Sequence, residues 1–122
     1  MLLRSELYDL AEALDDRFKQ LGGIEYLDES ITYRRQLERF NRCPIGDDKR
    51  SSYLNDLAYA LHDRFMQLGG LEDLEEAITY HRQALALRPD NSTFLDNLAY
   101  AVSTRFEQLG GMEDLEDRKS VV

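Results

Sequence analysis

The chain has 122 residues, enough for one domain, with an ordinary apolar fraction and no tryptophan. Its net charge of −9 argues against nucleic acid, since phosphate binding needs a basic face, and equally against an anionic membrane surface. The single cysteine, Cys43, cannot close an intramolecular disulfide. No apolar run reaches the length of a signal-peptide core or a membrane span, so a cytoplasmic protein is expected.

The first helix is expected over about residues 3–21, where Leu7, Leu10, Ala11, Leu14, Phe18 and Leu21 recur at steps of three and four. Gly22-Gly23 ends it, because glycine accepts the left-handed conformation that closes a helix. A second helix runs from Ile24 to about Asn41 or Cys43, with acids in its early turns and Arg34, Arg35, Arg39 and Arg42 in its later half, as the helix dipole favours. Pro44 to Lys49 reads as a loop, and Ser51 or Ser52 as the cap of a third helix. That helix repeats the first through Leu54, Leu57, Ala58, Leu61, Phe65 and Leu68, and stops at Gly69-Gly70. A fourth carries Leu71, Leu74, Ala77, Ile78, Ala84, Leu85 and Leu87 as far as Pro89. A fifth carries Leu95, Leu98, Ala99, Val102, Phe106 and Leu109 and is expected to end at Gly110-Gly111. A sixth should start at Met112, but Arg118 and Lys119 occupy the places of Ala77 and Ile78.

One phrase, Arg-Phe-x-Gln-Leu-Gly-Gly-x-Glu-x-Leu, occurs with little change from Arg17, Arg64 and Arg105. The copies lie about 47 and about 41 residues apart, within the range that marks repeat arrays. Each copy is expected to be the elbow of a helix hairpin. The recurring Arg (17, 64, 105) and Glu (25, 72, 113) are expected to tie helices across it, and the recurring Phe to be core.

Leu57-Ala58, Ala77, Ala84 and Pro89 follow one another as in tetratricopeptide repeats, which the chain resembles. Residues 51–91 match best. In 1–50, Ser30 and Leu37 stand at the places of Ala77 and Ala84, and 92–122 matches only through its first helix and elbow. The usual repeat is about 34 residues. Here each helix is about one turn longer, which resembles the long repeat of kinesin light chains and large fungal repeat proteins. The resemblance implies an all-α fold: a right-handed solenoid of antiparallel helix hairpins, about two and a half to three repeats in a single domain. It also implies that first helices line a concave, ligand-binding face.

Placing residues at 100° steps sets Asp9, Glu12 and Asp16 opposite the apolar arc of the first helix, Asn55, Asp56, Tyr59 and Asp63 opposite that of the third, and Asn97 and Tyr100 opposite that of the fifth. An acidic groove of this kind, lacking the Lys and Arg that clamp a peptide carboxylate, suits a protein or peptide segment rich in Lys or Arg. A solvated, merely solubilising face is the plainer reading of the same acids. Leu95, Leu98 and Val102 are expected to lie uncovered beside the unfinished sixth helix, which points to homo-oligomer formation or a structural spacer. His62 and His81 have no ligand-spaced companions, and no nucleophile, phosphate loop or dinucleotide turn is present, so neither metal nor cofactor nor enzymatic activity is expected. The expected role is a non-catalytic binding scaffold within a larger repeat array.

Overall fold

The computed structural model describes residues 3–40 and 47–120, with side chains for 3–39 and 49–110. The described residues are all-helical: α1 (Arg4–Leu21), α2 (Ile24–Phe40), α3 (Asp47–Leu68), α4 (Leu71–Leu87) and α5 (Ser92–Ser120). The first two elbows form as glycine chemistry dictates. Gly22 and Gly69 have φ of 71° and 77°, and their amides donate to Phe18 and Phe65 carbonyls at 2.8 and 2.7 Å. At Gly22, ψ of −152° puts the backbone in a region that side-chain-bearing residues essentially never enter. After Pro89, the Asn91 side chain accepts from the Phe94 amide at 3.0 Å, satisfying one of the free donors at the start of α5.

Two expectations about helix ends are corrected. Helix α3 begins at Asp47, so Ser51 is not its cap but a buried residue a turn inside. The expected end of α2 beyond Phe40, the loop from Pro44 to Gly46 and Cys43 lie outside the described residues. The third elbow does not form: α5 passes through Gly110-Gly111 as one helix of 29 residues. Glycine weakens a helix interior by only about 1 kcal/mol relative to alanine. A Gly-Gly pair therefore bends the chain only where folding back buries something. Leu27 and Ile31 do so after the first elbow, and Leu74, Ala77 and Ile78 after the second. After the third, Arg118 and Lys119 fill the last two of those places, and the return is not favoured.

Each helix packs on the next, and α3 also touches α5. Contacts give the directions. Ser30 reaches Asp15 and Arg34 reaches Glu12, so α1 and α2 run antiparallel; Arg64–Asp73 shows the same for α3 and α4, and Arg105–Glu75 with the Phe65–Ala101 cluster for α4 and α5. The pairs Asn55–Asn97 and His62–Tyr100 show α3 and α5 parallel. The core is a series of interfaces. Leu27 and Ile31 of α2 meet Leu57, Ala58 and Leu61 of α3 and Ala77 of α4; Phe65, Leu74, Ile78 and Ala101 join α3 to α4 and α5; Leu54, Ala84 and Phe94 close the other end.

Arg64 holds the second elbow, although its partner there is Asp73 and not the expected Glu72. Its guanidinium meets both Asp73 oxygens, at 2.8 and 2.9 Å, and reaches Asp28 of α2 at 3.1 Å. Those partners raise its pKa. Arg105 pairs with Glu75 of the preceding helix at 2.7 Å rather than across an elbow. Phe65 is core and Phe18 half-buried, but Phe106 is 74% exposed, because no described side chain returns over it.

Candidate functional site

The helix faces opposite the apolar arcs of α1, α3 and α5 meet in two adjoining cavities. The first, about 320 Å³, lies mainly between α1 and α3 and is lined by Glu12, Asp16, Asn55, Asp56, Tyr59 and Asp63, with Asn97 at its α5 side. The second, about 300 Å³, lies between α3 and α5 and adds Tyr100, His62 and Met66 to Tyr59, Asp63 and Asn97. Asp63, Tyr59 and Asn97 thus belong to both. Of the residues selected from sequence, Asp9 alone lines neither cavity; it is exposed on α1.

Two basic residues also line the first cavity, Lys19 and, unexpectedly, Arg34. Arg34 comes from α2, is 3% exposed, and carries its guanidinium between α1 and α3. It pairs with Asp15, with Glu12 at 3.0 Å, and with Asp56 at 3.6 Å. Those carboxylates hold its pKa above the ordinary value against the opposing effect of burial. Arg34 stands on the inward arc of α2 with Leu27, Ser30, Ile31 and Leu37. That placement is the signal that could have found it; counting it among the dipole-favoured arginines concealed it.

Asp56 and Asp63 are less well served than the other carboxylates' pairing with Arg34 would suggest. Burial raises the Asp56 carboxyl to about 6, with Arg34 opposing and Glu12 and Asp15 reinforcing the rise. Burial likewise raises Asp63 to about 6, helped by Asp15 and opposed by Lys19. In the second cavity His62 is 5% exposed, its ring 4.9 Å from that of Tyr100, and its Nε2 makes no hydrogen bond. Burial lowers its pKa, so the imidazole is neutral at pH 7. Behind it, His81 of α4 is fully buried with Nδ1 unpaired, and burial, then His62, lowers its pKa to about 4.

Of the residues selected for self-association, Leu95 and Val102 are 53% and 38% exposed. Leu98 is not part of that surface, because it packs inward against Phe65, Leu74 and Ile78. Phe106 takes its place, giving Leu95, Ala99, Val102 and Phe106 as one exposed stripe at steps of four, three and four.

No helix among the described residues is long and apolar enough to cross a membrane. Comparison of the chain with protein-family models, with curated proteins and with solved structures finds no match.

Proposed function

We propose that this chain is a non-catalytic scaffold that binds a Lys/Arg-rich peptide or protein segment across the concave face of a short tetratricopeptide-like solenoid. Sequential helix packing, parallel α3 and α5, and a core divided into successive interfaces support that architecture. The observation that carries the binding reading is the charge of the first cavity. Glu12, Asp15, Asp16, Asp56 and Asp63 line it against only Lys19 and Arg34, and two of the carboxyls are raised to about 6 by burial. A cation entering there gains from carboxylates whose desolvation has already taken place.

The experiment is fluorescence anisotropy with labelled nonapeptides alternating Lys or Arg with Gly. The variant is Asp16→Lys/Asp63→Lys, which leaves the partners of Arg34 in place. Binding that falls at least tenfold in the variant, and falls with added salt in the native chain, is the expected result. Equal affinity for native and variant chains removes the groove from consideration.

A second reading has its own observation. The exposed stripe on α5 corresponds in the repeat to Leu54, Ala58, Leu61 and Phe65 of α3, which are all buried. A second copy of the chain seated on that stripe would make this a self-associating spacer.

A further inference from the structure

The two cavities are built at equivalent places in the repeat, and the comparison between them shows what the second one takes. Leu7, Ala11 and Phe18 of α1 correspond to Leu54, Ala58 and Phe65 of α3, while Leu27, Ile31 and Leu37 of α2 correspond to Leu74, Ile78 and Ala84 of α4. This register makes Arg34 equivalent to His81, Asp15 to His62, Glu12 to Tyr59, and Asp56 to Asn97. In the first cavity the chain supplies its own guanidinium, held by Asp15, Glu12 and Asp56. In the second, the residue at the arginine's place is a shorter, neutral imidazole behind the wall, and the surrounding positions remain hydrogen-bond acceptors.

We infer that the cavity between α3 and α5 receives the guanidinium of an arginine side chain from the bound peptide, at the place Arg34 fills from within one repeat earlier. The inference rests on the peptide-binding reading above and names the side chain that one subsite selects. Its chemistry matches an arginine point by point. His62 forms part of the cavity wall as a buried, uncharged ring whose unpaired Nε2 is closed off from solvent, so it sets no positive charge against a guest and the accepting groups come from its neighbours. Asn97 donates through Nδ2 to Asn55 at 3.1 Å, which leaves its carbonyl oxygen to accept. Asp63 supplies the negative charge. Tyr59 and Tyr100 supply ring faces of the kind that attract a flat, weakly hydrated cation. A guanidinium offers five donors in a plane and fits such a ring of acceptors, whereas an ammonium is a compact point charge better suited to the carboxylate-rich first cavity.

The test uses capped pentapeptides Gly-Ala-X-Ala-Gly with X as arginine, lysine or citrulline, followed by NMR on the whole chain. The arginine probe should shift the signals of Tyr59, His62, Asn97 and Tyr100 and bind at least tenfold more tightly than the citrulline probe. The lysine probe should shift Glu12 and Asp16 instead. The double variant His62→Asp/His81→Arg installs the internal pair of the first cavity in the second. It should keep the native helical signal and melting cooperativity, lose the arginine probe at least tenfold, and leave the lysine probe unchanged. Equal binding of arginine and citrulline, arginine shifts confined to the first cavity, or undiminished arginine binding in the folded double variant each overturn the subsite while leaving the groove intact. Failure of both arginine and lysine probes to bind overturns the groove reading and this inference with it.

Discussion

Asp63 stands where the two cavities meet, and its environment ties stability to binding. Its folded pKa of about 6 lies above the ordinary 3.8, so between those values the folded state holds more protons than the unfolded one. Stability from this group therefore falls as pH rises from about 4 to 6, and at pH 7 the ionised carboxylate is a net cost. Asp63→Asn should raise the unfolding free energy by about 1–2 kcal/mol at pH 7, after allowance for solvent screening. Denaturant titrations at pH 7 and pH 4 should show the gain only at the higher pH, while basic peptides bind the variant more weakly. His81 behaves oppositely. Its folded pKa of about 4 lies below the ordinary 6.5, so its stabilisation is complete above 6.5 and is lost as pH falls toward 4. His81→Leu should accordingly lose less stability than the native chain between pH 6.5 and 4.5 in thermal melts. Asp63 was legible in the sequence because it lies opposite an apolar arc. The burial of Arg34 and His81 was legible too, since both lie on the inward arcs, but their partners were not. Their neighbours Ile31 and Ile78 announce burial, but which partner a buried polar group finds depends on a helix packed from elsewhere in the chain.

At the scale of elements, the heptad-like spacing of leucines and alanines made all five helices and the first two elbows legible. The third elbow was misread because its local phrase is the same as the others. What differs is the chain after it, where charge replaces the apolar residues that make a return worthwhile. The two kinds of glycine are separable by one substitution at equivalent places. Gly69→Ala forces a side chain into φ of 77° and should destabilise by about 1–2 kcal/mol. Gly110→Ala puts a methyl group on a helix, in ordinary contact with Phe106 at 3.8 Å, and should stabilise by about 0.5–1 kcal/mol. Denaturant unfolding of the two variants provides the check. Losses of similar size at both positions would mean that Gly110 bends as Gly69 does.

For the whole molecule, the exposed stripe of α5 sets the expected behaviour at high concentration. Leu95, Ala99, Val102 and Phe106 have the alternating four-and-three spacing of a helix–helix seam. Sedimentation velocity should show the native chain growing in mass as its concentration rises, and Val102→Glu/Phe106→Glu remaining a monomer. A native chain that stays monomeric throughout would dispose of the self-associating reading without touching the groove. The chain of neighbour-to-neighbour helix contacts has a different consequence. Among the described residues little binds α1 to α5 directly, so opening can stop at any boundary between neighbouring helices. A peptide laid along the two cavities would touch α1, α3 and α5 together. Such a ligand would be a cross-brace: by tying α1 to α5 through α3, it would make α1 and α5 exchange their amide protons at the pace of the helices between them.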